Sequence, residues 1–290
     1  MPSAGAGDRP AAPVRAASDT TKGGSLAGSS GRQKPRTTSA GDGGVGTSRP
    51  TCVRNTGSAA PGPVTGRSAS AVLPPSLRAW LGPIAALAAL VVVVLGVLYA
   101  GAGKPGPVDA RIGAAVDGVR PPWRHVALAM DFLGEPGGAV ALVVALVTGC
   151  LLLRSPRAAV LLVAGLGTTV GTATLLKHVV GRTIHGEGNL SYPSGHTAFL
   201  TALALVVALA ATGRLGLGRT AGTALVLAAA LLAGAAMGWA QVALGAHYPT
   251  DVLGGWCTAL AVTPATAWLV DRMADRPAGQ PSGAGRRERG

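Results

Sequence analysis

From about residue 79 onward, long stretches free of charged residues alternate with short polar segments. Six apolar runs can be marked, at about 79–101, 137–153, 157–177, 196–213, 220–243 and 252–270. The first reads AWLGPIAALAALVVVVLGVLYAG. Crossing a hydrocarbon layer of about 30 Å takes about 20 helical residues, with 17–25 usual. All six runs reach that length, the second and fourth only just. In lipid an unpaired backbone group costs several kcal/mol, so helices are the element these runs predict. The expected fold is all-α, a six-helix transmembrane bundle.

Residues 1–76 are built from Gly, Ser, Ala, Pro, Thr and Arg with almost no large apolar residue. Such a segment buries too little surface to offset its ordering entropy, which predicts a disordered N-terminal tail. It is too long and too polar for a secretory signal peptide. A second basic tail is expected at 272–290, leaving a membrane domain at 77–271.

Composition supports this layout. The chain has 290 residues, 48% hydrophobic and 13% charged, with only 3% aromatic, so the apolar runs are Ala, Val and Leu. The net charge of +13 would suggest nucleic acid in a soluble protein. Here the basic residues are spread over tails and loops without interleaved aromatics, which argues against a nucleic-acid partner. Cys52, Cys150 and Cys257 show no paired spacing, so neither a disulfide framework nor a zinc site is indicated.

Arginine placement sets an orientation. The N-terminal tail, Arg154 and Arg157, Arg214 and Arg219, and the C-terminal tail with Arg272 and Arg276 all fall on one side of the six runs. The positive-inside rule makes that side the cytoplasm. The chain is then a multi-pass protein of the cell membrane with both termini cytoplasmic. The loop regions 174–198 and 239–252 face outward, and the second holds no Lys or Arg.

Those two loops hold four of the five histidines: His178, His185, His196 and His247. Lys177 and Arg182 lie beside them, and ionisable groups at the edge of a membrane bundle are functional candidates. In Pro193-Ser194-Gly195-His196, Ser194 is a good N-cap and Gly195 lets backbone approach a ligand. The first helical turn offers unpaired N–H groups and a positive dipole end, which suits a phosphate. His196 on that turn can donate a proton to the same ligand. His247 and Asp251 are four apart, and Pro249 is well placed to start a helix. On one helical face, a carboxylate can fix the imidazole tautomer and leave the other nitrogen free as nucleophile.

These residues resemble the membrane branch of the type 2 phosphatidic acid phosphatases, which share a superfamily with vanadium haloperoxidases. The likeness spans about 80–270 by layout and rests on three motifs. Pro-Ser-Gly-His is intact at 193–196, and the His and Asp that end the third motif are intact as His247 and Asp251. Two departures stand beside them. Counting from Lys177, the Arg-Pro of the first motif falls on Ile184 and His185. Counting back from His247, the Ser-Arg of the third falls on Ala240 and Gln241.

The resemblance implies a lipid phosphatase that cleaves a phosphate monoester or diphosphate of a membrane lipid at the extracytoplasmic face. His247, oriented by Asp251, would form a phosphohistidine, and His196 would serve the leaving group and then water. Lys177, Arg182, Ser194 and Gly195 would hold the phosphate, Arg182 standing in for a missing arginine. Gln241, His185 and His178 are further candidates. The substrate would be a lipid phosphate or a polyprenyl diphosphate, with no cofactor. No metal is expected, because no carboxylate cluster is available to hold one. The alternative is a weakened or inactive lipid-phosphate-binding protein of the same fold, since two phosphate-binding arginines are absent from their usual places.

Overall fold

The computed structural model describes residues 71–116 and 118–276, so most of both expected tails, 1–70 and 277–290, lies outside the described residues. Eight helices are present: α1 Pro75–Leu98, α2 Pro107–Val116, α3 Pro121–Gly134, α4 Pro136–Leu152, α5 Pro156–Val180, α6 Gly195–Arg214, α7 Arg219–Ala243 and α8 Pro249–Ala274. Six of them open on proline, whose fixed φ suits the first turn and whose missing N–H costs nothing there. Among the described residues the extended structure is one isolated bridge, Thr183 with Leu190. The fold is all-α, as the apolar runs predict.

Helices α1, α5, α6, α7 and α8 are each long and apolar enough to cross a membrane. The second expected span differs. Helix α4 has 17 residues, and it meets the same test only together with α3, to which it joins at a bend of 64°. Pro136 causes the break: the residue before a proline is pushed out of the helical region, and Glu135 is extended at φ −67° and ψ 154°. The segment between the first two apolar runs thus forms two helices, α2 and α3, and α3 packs against α6 and α7.

Helix α1 turns Leu87, Leu90, Val93, Val94 and Val97 outward, as a lipid surround requires. Its other face carries Leu77, Leu81, Ala88 and Val92 into the core. Helix α6 is the most enclosed of the spans, and Leu205, Val206 and Leu209 place it at the bundle centre beside Leu161, Leu162 and Val226.

The packed domain begins before residue 77. Val72 and Leu73 are buried, and their N–H groups donate to the two carboxylate oxygens of Asp271, each at 2.8 Å. Helix α8 likewise runs past 271 to Ala274. The arginine-bearing segments meet at this end: Arg157 pairs with Asp275 at 3.0 Å, and Arg214 donates to Ser155 Oγ at 2.8 Å.

Candidate active site

At the other end of the bundle, the loop after α5 and the loop before α8 are joined. Helix α5 stops at Gly181, which adopts a left-handed φ of 64° that a residue with a Cβ rarely takes. The chain then turns back through Thr183 and Leu190, with Ile184 N–H donating to Asn189 O at 3.0 Å. Ser194 caps α6, its Oγ accepting from Thr197 N–H at 3.4 Å, as the sequence predicts. Its own N–H donates to Asp251 O at 2.9 Å, so the Pro-Ser-Gly-His turn is tied directly to the start of α8. Gly255 permits this approach, because a Cβ there would collide with the Ser194 carbonyl. Tyr192 anchors the same turn by donating its hydroxyl to Val92 O at 2.7 Å. Burial pushes that hydroxyl up, so it stays protonated as a donor.

Helix α8 begins as Pro249 predicts. Asp251, at the third helical position, accepts from Tyr248 N–H at 3.1 Å. His247 Nδ1 faces Asp251 Oδ2 at 3.8 Å, too long for a hydrogen bond. Nδ1 is buried and has no hydrogen-bond partner among the described residues. His196 lies within electrostatic reach of both His247 and Lys177. The half-buried Lys177 donates to Leu190 O at 2.9 Å and feels the charge of Asp251. His196, His247, Asp251, Lys177, Ser194 and Gly195 thus gather at one end of the bundle. Ser194 spends its N–H on structure and its Oγ accepts twice from Thr197, while the N–H groups of Gly195 and His196 have no acceptor among the described residues. Space is open above Gly195, where a Cβ would meet nothing within 4 Å.

Arg182 departs from its expected role. It is fully buried, and its guanidinium forks to two carboxylates, Asp251 Oδ1 and Asp109 Oδ2, both at 2.6 Å. It also donates to Thr250 Oγ1 at 2.6 Å, and its plane sits between the rings of Tyr99 (4.1 Å) and Tyr248 (4.5 Å). Asp109 completes the cage by accepting from Thr250 N–H at 2.9 Å. Two buried carboxylates need a buried cation, and a rigid planar fork meets both at once. Arg182 is therefore committed to holding Asp251 and is not a free clamp for phosphate oxygens.

The remaining candidates divide. Gln241, where the motif would place arginine, is buried and donates to Asp131 Oδ1 at 2.6 Å. Ile184, at the other missing arginine, is buried and apolar. His185 is exposed at a positive φ of 59°, and its Nε2 lies 2.7 Å from Gly245 O, bridging the two loops. His178 is exposed on the last turn of α5, with no partner among the described residues.

Three carboxylates stand here that sequence reasoning left out. Asp109 is the only buried residue of α2. Asp131 on α3 and Glu135 at the break after it lie 3.6 Å and 3.9 Å from His196 Nε2, over Gly134, where a Cβ would strike the imidazole. The expectation that no carboxylate cluster exists is thereby corrected: the ligand atoms of Asp131, Glu135 and His196 lie within 4.8 Å of one another, close enough to share a cation. The three acids lie in a loop whose opposite charges balance, so no period or charge excess marks them. A cavity of about 620 Å³ opens beside His247, and Arg124, His185, Ile184 and Tyr248 also line it. Arg124 is a cation at this end that the motifs do not contain.

Comparison with known proteins agrees with this layout. The crystal structure of a transmembrane PAP2-type phosphatidylglycerolphosphate phosphatase from Bacillus subtilis superposes with a TM-score of 0.52. The two share 24% sequence identity over 65% of this chain and 94% of that one, a likeness of fold. No curated protein matches significantly. The model of the PAP2 superfamily matches residues 158–274, a segment that holds Lys177, Arg182, His196, His247 and Asp251. Over that segment the chain is similar to the PAP2 superfamily.

Proposed function

We propose that the chain is a lipid phosphatase that hydrolyses a phosphate monoester or diphosphate of a membrane lipid. The observation that carries this reading is the tie between Ser194 N–H and Asp251 O at 2.9 Å, which sets the His196 turn against the His247–Asp251 pair. With Nδ1 facing Asp251, the free Nε2 of His247 is the nucleophile. Its lone pair forms the N–P bond while the P–O bond to the lipid breaks, and His196 gives its proton to the departing oxygen. His196 then takes a proton from water. The water oxygen bonds to phosphorus, the N–P bond breaks, and inorganic phosphate leaves with His247 neutral again. Lys177 and the N–H groups of Gly195 and His196 hold the non-bridging oxygens, so positioning and charge stabilisation do the work.

By the positive-inside rule the histidine end faces the extracytoplasmic side and both termini are cytoplasmic. Phosphatidylglycerolphosphate, the lipid named for the similar structure, is the first substrate to try, followed by phosphatidic acid and a polyprenyl diphosphate. The test is phosphate release by purified protein over these lipids, with His247→Ala beside it. The reading requires release from at least one lipid and loss of that release in the variant. Release that survives the substitution ends it.

A second reading has its own support. Ile184 is apolar, Gln241 is bound to Asp131, and Arg182 is caged, so two arginine positions of the motifs give the phosphate no charge. A charge-assisted hydrogen bond is worth about 1.5–3 kcal/mol. A protein that kept the fold and binds a lipid phosphate without turnover would look the same here. Saturable binding of the lipid with no phosphate release identifies it.

A further inference from the structure

At the end remote from the histidines, α1 and α8 leave an apolar groove of about 260 Å³ between them. Leu81, Gly82, Ala85, Pro264, Ala265 and Trp268 wall it. Small residues make the groove: Gly82, Ala85 and Ala265 put little side chain between the helices, and a Cβ at Gly82 would meet nothing within 4 Å. Arg78 and Trp268 border this groove and also a polar cavity of about 410 Å³, which Arg272, Asp275 and Arg276 complete. The apolar trough and the cationic mouth are thus neighbours that share two residues.

The charges at the mouth are unbalanced. Asp271 is buried, accepts the Val72 and Leu73 N–H groups, and lies 3.7 Å from Arg78. Asp275 pairs with Arg157 at 3.0 Å. Arg272 and Arg276 are exposed and have no carboxylate partner among the described residues. Arg272 lies over Trp268, 5.0 Å from its ring centroid, which fixes the guanidinium beside the groove. Arginines in a last helical turn do complement the helix dipole, but that does not account for an apolar trough beneath them.

We propose that this is a binding site for an anionic phospholipid, with one acyl chain in the groove and the phosphodiester on Arg272 and Arg276. Apolar walls select an amphiphile over a water-soluble anion. The uncompensated guanidinia select a net negative headgroup over a zwitterionic one, whose own cation would face them. A tryptophan at the boundary is the usual interfacial anchor. At about 1.5 Å per helical residue, Arg272 lies roughly 30 Å along α8 from Asp251, so this site is separate from the catalytic one.

The test is the thermal stability of the purified full chain in neutral detergent with phosphatidylglycerol, phosphatidylcholine or glycerol phosphate added. Neither phospholipid carries a phosphomonoester to cleave. Phosphatidylglycerol should raise Tm by about 2–4 °C or more, and the other two should not. The double substitution Arg272→Ala with Arg276→Ala should remove that rise and leave phosphate release unchanged. Gly82→Leu, which fills the groove and keeps every charge, should also reduce it. An undiminished rise in both variants would assign the effect to annular lipid or the basic tails and overturn the proposal. So would an equal rise with phosphatidylcholine.

Discussion

Arg182 and His247 share one carboxylate: Asp251 gives Oδ1 to the guanidinium at 2.6 Å and turns Oδ2 toward the imidazole at 3.8 Å. The orientation of the proposed nucleophile is thus set from behind by a caged cation. Asp109 holds that cation from the far side and reaches Thr250 at the start of α8. Asp109, the one fully buried residue of α2, thus ties that helix to the catalytic end.

Removing Arg182 should therefore unsettle the domain as well as the chemistry. Arg182→Ala leaves two buried carboxylates without their cation, a loss of about 3–5 kcal/mol. Arg182→Lys should not rescue it, because a single ammonium cannot fork to Asp109 and Asp251 together. Thermal unfolding should show a large fall in Tm for both variants. Asp109→Asn keeps the shape and removes one charge, so it should lower kcat more than it changes KM. If Arg182→Ala melts like the parent and loses only substrate affinity, Arg182 is a phosphate clamp after all.

The spans and caps were legible in the chain because they rest on local rules. Apolar length gives the membrane helices, Ser194 gives the cap of α6, and Pro249 gives the start of α8 with His247 and Asp251 beside each other. The partners of Arg182 were not legible. Asp109 is 73 residues away, on a short helix with no apolar period to show which face is inside. Asp131 and Glu135 were hidden because the packing of α3 against α6 and α7, which brings them to His196, is a tertiary arrangement.

Gln241 offers a gain-of-function test. It sits against Asp131, so an arginine there would keep a carboxylate partner and add a cation to the site. Gln241→Arg should tighten competitive inhibition by vanadate about tenfold, the equivalent of one charge-assisted hydrogen bond. Unchanged or weaker inhibition would mean that the phosphate does not reach residue 241.

The Asp131, Glu135 and His196 group makes metal dependence a sharp question. The proposed mechanism routes no step through a cation. Phosphate release should therefore persist after exhaustive treatment with EDTA, and added Mg²⁺ should not raise it severalfold. Loss of activity on chelation, restored by a divalent ion in the parent but not in Asp131→Asn with Glu135→Gln, would assign a metal to this group.

The phosphohistidine is the centre of the account, and it can be trapped. Protein mixed with a ³²P-labelled lipid phosphate and quenched within the first turnover should carry label that is stable in base and released in acid. His247→Ala should carry none, while His196→Ala, which slows the hydrolytic step, should retain it longer than the parent. Label that persists in His247→Ala, or turnover in the parent with no labelled protein at any quench time, would contradict the assignment of His247 as the nucleophile.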